Sequence, residues 1–451
     1  MIFIYESRPL TEYGAQKIDE VLHRQKACLL DVKTGGGKTY MSIHSIGLIA
    51  KKAKKPINLL IFTTKQQIKS HHWENSVKDY CAVTKTQLNP FVTNYEQLTS
   101  EKGLKKIFNW VTNTSKKSTI IICDEGHLVK NPTSHRSKYV LKFAKLSNVS
   151  RIMFLTATPN SNSLLDTMTY LIAAGFYKNK TQFIREHVKE KDKYHQPIVK
   201  DKFTGEVDIH FFKNPELVLN RLAQITVQID TQSLLPEVKL TQKKFKFDKP
   251  TQKEYRQIKY QLKRGEIESA PKAIAMQFRF VADHQQQQMK YIKKVIDSKT
   301  RPQTPILIFY QWQAEFDNLY EFLRKYEPDY HIRMINSKSK KNENPSAKPK
   351  SNKTIVLAQY QSGGAGLNTP WSNIAIFLSP ANTAENFEQA RGRNVRALQP
   401  GPVYQIRLMM ENTISQHVWE FIIDQKKRFS TKIDKELMNF KDWLKQISNT
   451  N

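Results

Sequence analysis

Residues 31–39 read DVKTGGGKT, between the short apolar run ACLLDV at 27–32 and the stretch KTYMSIHSIGLIAKK that begins at Lys38. In the latter, Met41, Ile46 and Ile49 recur at roughly helical intervals, so strand, glycine loop and helix follow in that order. That is the order a phosphate cradle needs. Glycines let backbone N–H groups approach phosphate oxygens, and the new helix turns the positive end of its dipole toward them. Thr34, Gly35, Gly36 and Gly37 form the expected cradle, Lys38 is placed to reach β- and γ-phosphates, and Thr39 to hold magnesium. Val32 stands where the usual pattern begins with glycine, so the loop departs from it at one position.

Working outward, short β-branched runs recur with helical segments between them. INLLIFT (57–63), STIIICDE (118–125) and RIMFLTAT (151–158) form one set. PILIFYQW (305–312), TIVLAQY (354–360), NIAIFLS (373–379) and VYQIRLM (403–409) form another. Continuous apolar strands alternating with helices imply parallel sheets covered on both faces, hence an α/β chain of two lobes. The expected division is lobe 1 over 1–232 with a charged insertion from about 165, a helical connector over 233–298, and lobe 2 over 299–451 ending in a helix. The glutamine run in DHQQQQMKYIKKVI reads as a solvated helix face, 186–212 as a charged protruding hairpin, and 336–353 as a polar, basic loop between strands.

Lys and Arg total 72 against 41 for Asp and Glu, a formal charge of +31 on 451 residues with a pI near 9.8. Such a chain attracts polyanions, and nucleic acid is the favoured partner over a merely solvated basic surface. No apolar stretch approaches the roughly 20 residues that span a bilayer, and the start MIFIYESRPL carries an acid and lacks a signal-peptide pattern, so no membrane is expected. Cys28, Cys81 and Cys123 are isolated and odd in number, which argues against a disulfide framework or a zinc ribbon and fits a reducing cytoplasm.

In IIICDEGHLVKN an apolar strand ends in two carboxylates. Asp124 is positioned to bind magnesium through water and Glu125 to orient and deprotonate an attacking water. His127, with no second His or Cys nearby, reads as a hydrogen-bonding relay rather than a metal ligand.

VKTGGGKT, DEGHLVKNP, FLTATPNSN, YQSGGAGLN and FEQARGRNVR occur in that order and together resemble the motifs of superfamily 2 helicases and translocases. DEGHLVKN with LTATPNSN is most similar to the SWI/SNF-type branch, particularly compact phage- or virus-encoded DEAD/DEAH-box members. The likeness implies two RecA-like lobes in tandem, ATP and magnesium as cofactors, and DNA as partner, with replication or repair proteins as further partners. It implies that Thr156 and Thr158 couple the γ-phosphate to nucleic acid. Arg393 and Arg396, three apart and so read as sharing a helix face, would with Gln389 bring an arginine-finger charge to that phosphate from lobe 2. Gly364 and Gly366 suit close approach by a phosphate, either of ATP or of a nucleic-acid backbone. Thr63, Lys65, Thr93 and Tyr95 are the candidates for backbone contacts in lobe 1, although Trp73 and Tyr95 read equally well as packed. RPLTEYGAQK resembles a glutamine motif that reads adenine, making Gln16 the base contact.

The activity expected is DNA-stimulated ATP hydrolysis that closes the lobes and steps along DNA in replication, recombination or repair. Two rivals stand beside it. One is an RNA helicase, since the motifs mostly touch backbone, although Lys130 and Asn131 after DEGH favour DNA. The other is a nucleotide-gated DNA clamp with little turnover.

Overall fold

The computed structural model describes residues 9–33, 35–115, 118–157, 163–199, 209–230, 235–336, 347–361, 369–396, 399 and 401–424. Thr34, Thr158, Gly364 and Gly366 lie outside these residues, as do the centre of the 336–353 loop and the expected C-terminal helix. The chain divides into two compact units at Thr231/Gln232, the second being Gln232–Lys426.

The first unit is built on β1 (Ala27–Asp31), β2 (Ile57–Thr63), β3 (Leu88–Asn94), β4 (Thr119–Asp124), β5 (Val149–Thr156) and β6 (Thr226–Gln228). Their order in the sheet is β3-β2-β4-β5-β1-β6, and every pair is parallel. The second carries β7 (Val238–Phe245), β8 (Ile306–Tyr310), β9 (His331–Ile335), β10 (Thr354–Gln359), β11 (Ile374–Phe377) and β12 (Val403–Met410). Here the order is β7-β12-β11-β8-β10-β9, again all parallel. Two six-stranded parallel sheets with helices bear out the α/β class and its two parallel-sheet lobes.

Helices cover both faces of each sheet, which is why the inner strands read as nearly continuous apolar runs. In β2, Leu60 and Phe62 enter one core while Leu59 and Ile61 enter the other. In β8, Ile306, Ile308 and Tyr310 face one core and Leu307 and Phe309 its opposite. Each such side chain, fully buried, contributes about 1.5–3 kcal/mol. These layers fix a common edge: Asp31 of β1 lies opposite Thr156 of β5, and Asp124 of β4 opposite Leu155. The glycine loop and the two motifs that follow β4 and β5 therefore leave the first sheet side by side, at the carboxyl ends where open α/β sheets bind ligands.

Two expectations are corrected. The segment 233–298 is not purely helical: it opens with β7, which pairs with β12 over its whole length, before three helices at Lys249–Lys263, Ala270–Asp283 and Gln286–Asp297. β7 reads as polar because six of its eight residues are exposed, as befits an edge strand with lysines turned to solvent. Nor is the glutamine run a solvated face. Gln285 and Gln288 are buried, Gln285 Nε2 donating to Glu315 Oε1 at 3.3 Å and Gln288 Nε2 to the Leu378 carbonyl at 3.3 Å; Gln286 and Gln287 alone are exposed. Within 186–212, antiparallel bridges join Val188 to Phe212 and Lys191 to Pro197, and the Asp192 carboxylate accepts from the amides of Tyr194 and Gln196.

Candidate functional site

The glycine loop begins where β1 stops. Val32 continues the strand rather than the cradle: it is buried in the core, and its amide donates to the Thr156 carbonyl at 3.3 Å. That is why valine is accepted at this position. Gly35 and Gly37 have φ of 85° and 91°, in the left-handed region that favours glycine, and Gly36 N donates to the Lys33 carbonyl at 3.0 Å. Gly37 caps the helix Lys38–Ala53, whose first residues are thereby aimed into the loop. Lys38 Nζ donates to the Val32 carbonyl at 2.9 Å, so the ammonium hangs over the turn it closes.

Asp124 ends β4 and is buried. Its Oδ2 accepts from Thr63 Oγ1 at 2.7 Å and from Trp73 Nε1 at 3.1 Å, while Oδ1 accepts from the Glu125 amide at 3.1 Å. Tyr95 Oη donates to the Asp124 carbonyl at 2.6 Å. Burial, and then the neighbouring Glu125 charge, push the Asp124 pKa up; the Thr63 and Trp73 donors and the Lys38 ammonium pull it back. Two side chains and one backbone amide thus fix the carboxylate, and a third side chain fixes the carbonyl of the same residue. His72 Nε2 lies 3.4 Å from Thr39 Oγ1, and burial lowers its pKa against the opposing pull of Asp124 and Glu74.

Glu125 sits at φ 52°, ψ 53°, a left-handed conformation that costs a non-glycine residue of order 1–3 kcal/mol and marks a constrained site. It is partly exposed, with Oε2 3.5 Å from His127 Nδ1. The same nitrogen lies 3.4 Å from Thr156 Oγ1. His127 Nδ1 therefore stands between the carboxylate and the buried threonine at the end of β5. Lys130 Nζ pairs with Asp166 Oδ2 at 3.1 Å, both side chains largely covered, and Thr169 Oγ1 donates to the Lys130 carbonyl at 2.9 Å.

The remaining first-unit candidates scatter. Thr63 and Tyr95, expected at the nucleic-acid backbone, are buried and hold Asp124 instead. Thr93 is buried on β3, and Lys65 alone is exposed, at the start of the helix Lys65–Lys69. Gln16 is exposed on the helix Pro9–Arg24, where its Nε2 donates to Glu12 Oε1 at 3.5 Å. Sequence reasoning missed the Trp73 and His72 roles. A tryptophan indole buried beside a strand end needs an acceptor, and Asp124 was the nearest acid in the motif order.

In the second unit Gln389 is half-buried on the helix Ala384–Arg391. Gly392 closes that helix, its amide donating to Glu388 O at 3.0 Å, so Arg393 and Arg396 lie beyond it and do not share a helix face as expected. The Arg393 carbonyl accepts from Thr369 N at 3.0 Å and Thr369 Oγ1 at 3.1 Å, and Arg396 Nη1 donates to the Gly392 and Val395 carbonyls. Burial and the adjacent Arg393 charge push the Arg396 pKa down to about 9. Two guanidiniums held this close favour an anion beside them.

Residues 7–161 match the type III restriction enzyme res subunit family, and residues 287–398 match the helicase conserved C-terminal domain. The two matches support a superfamily 2 helicase. Comparison with curated proteins gives no match. Among solved structures, this chain is similar to the ATP-dependent Type ISP restriction-modification enzyme LlaBIII bound to DNA, at 13% identity and TM-score 0.53. That similarity covers 96% of this chain and 29% of LlaBIII, and it concerns the fold. The Sulfolobus solfataricus SWI2/SNF2 ATPase core in complex with dsDNA aligns over 92% of this chain and 90% of its own, at 17% identity and TM-score 0.40. No helix among the described residues is long and apolar enough to cross a membrane.

Proposed function

We propose that the chain is an ATP-dependent DNA translocase or helicase in which DNA accelerates ATP hydrolysis. The observation that carries this reading is the meeting, at the carboxyl ends of neighbouring strands, of the glycine loop with Lys38 and an Asp124 carboxylate held by three donors beside Glu125. Lys38 holds the terminal phosphates, Glu125 orients the attacking water and takes its proton, and His127 passes the state of that carboxylate to Thr156.

The hard oxygens of Thr39 and Asp124 fit magnesium, which binds through one or two carboxylates and leaves its other positions to water and phosphate. A cluster of three or more acids, histidines or cysteines is not required, and none occurs among the described residues. When bound, the ion neutralises phosphate charge. Arg393 and Arg396, with Gln389 on the preceding helix, are the groups of the second unit that would supply positive charge to the terminal phosphate. DNA as the partner accords with the formal charge of +31 and with the helicase domain match.

The test compares ATP turnover with single-stranded DNA, duplex DNA, forked DNA and RNA. Stimulation by DNA supports the reading, and stimulation by RNA alone replaces it with an RNA helicase. No stimulation by any of them leaves a nucleotide-gated clamp.

A further inference from the structure

A second concavity lies at the end of the first sheet opposite the glycine loop. The last turn of the helix Pro9–Arg24, the residues leading into β1 and β5, and the turn after the helix His135–Ala144 enclose about 400 Å3. Its wall carries His23, Arg24, Lys26, Lys145 and Arg151 and no Asp or Glu. Among the described residues, none of these five forms an ion pair with a carboxylate.

Cations gather at helix C-termini to offset the dipole, and two such ends meet here. Together they are worth about one negative charge. Arg24, Lys26, Lys145 and Arg151 formally bring four positive ones. Arg151 spends part of its fork on the carbonyls of Leu22 and Ser150, which leaves most of the excess unanswered. Lys26 registers that excess: burial lowers its pKa, and the Arg151 and Lys145 charges lower it further. A concave wall of one sign focuses its field outward and raises the local concentration of anions.

We propose that this pocket receives a backbone phosphate of the DNA, a contact separate from the nucleotide loop. β1 joins the two places directly, Lys26 preceding its first residue and Val32 following its last; five residues of strand span about 16 Å. A polymer rather than a small anion is indicated by the open rim, where His23, Arg24 and Lys145 are exposed and a strand can continue past the seated phosphate. The proposal rests on the DNA-translocase reading and adds to it a grip on the far edge of the first sheet.

The test measures duplex affinity of the full chain as a function of salt for the parent protein, for Lys26→Gln/Lys145→Gln, and for Lys54→Gln/Lys55→Gln as a control of equal charge change. A duplex contact contributes about 0.9 to the slope of log K against log salt. The pocket variant is expected to flatten that slope by about 0.9, with an unchanged melting temperature and an unchanged ATP turnover in the absence of DNA. Lys26→Arg/Lys145→Arg is expected to restore it. Equal flattening in the control, or no flattening in the pocket variant, overturns the proposal. So does tripolyphosphate protection of Lys26 from amine labelling when duplex gives none, which would make this a small-anion site. Failure of the parent protein to bind DNA at all would instead sink the translocase reading.

Discussion

The indole Nε1 of Trp73 donates to Asp124 Oδ2 across 3.1 Å, from a side chain that is itself fully buried. Hydrogen bonds to charged groups are worth about 1.5–3 kcal/mol. Trp73→Phe keeps an aromatic side chain but deletes the donor together with the pyrrole half of the indole. Turnover is expected to fall about tenfold or more. The donor lowers the Asp124 pKa, so its loss raises it, and the acid limb of the pH–rate profile moves to higher pH. An acid limb that stays in place would reduce Trp73 to packing.

Lys38→Ala and Glu125→Gln are expected to abolish hydrolysis while leaving DNA binding largely intact. Turnover and duplex affinity measured on the same preparations check this. Retained turnover in either variant contradicts the assignment of the site.

Gly37 has φ 91° and open space where a Cβ would go. Gly37→Ala therefore meets no clash, only the left-handed backbone, at about 1–2 kcal/mol. The expected outcome is weaker ATP binding together with a melting temperature lowered by about 2–8 °C, read by nucleotide titration and thermal melting.

Lys130 and Asp166 tie the DEGH turn to the short helix Leu164–Thr167 that follows the TATP segment. Breaking a fully buried pair costs about 3–5 kcal/mol. With side chains 16% and 12% exposed, this one is expected to cost about 2 kcal/mol in Lys130→Met or Asp166→Asn. A double-mutant cycle in urea checks the coupling. If Lys130 instead served as a DNA contact, Lys130→Met alone would flatten the salt dependence of DNA binding and the cycle would close at zero.

Glu315 is buried, its Oε2 accepting from the amides of Gln311 and Trp312 and from Ser379 Oγ. Burial raises its pKa above the ordinary 4.5, so the folded protein holds this proton more tightly than the unfolded chain. The stability it contributes is full below the unfolded value and is lost as pH rises through the folded one. Glu315→Gln, with the Gln285 amide turned to offer its oxygen, removes that loss. Urea midpoints of the variant are expected to change less than those of the parent as pH rises above about 4.5.

Eight strands were legible as apolar runs: β1, β2, β4, β5, β8, β10, β11 and β12. All are interior to their sheets, whereas β3, β6, β7 and β9, which the runs did not reveal, are the four edges. An interior parallel strand is covered on both faces and is apolar along most of its length, so local sequence states its place. An edge strand has one neighbour and an exposed flank, and HIRMI or VKLTQKKF can serve only because a partner strand supplies the pairing.

The site divides in the same way. DVKTGGGKT and DEGH could be singled out locally because the proposed phosphate and water chemistry asks for particular side chains at fixed spacing along the chain. What Thr63, Trp73, Tyr95 and Lys130 do was not, since the acids they hold lie 61, 51, 29 and 36 positions away, and which polar group is buried beside which is settled only when the strands pack. A buried donor must find an acceptor, and tertiary structure alone decides which one is within reach.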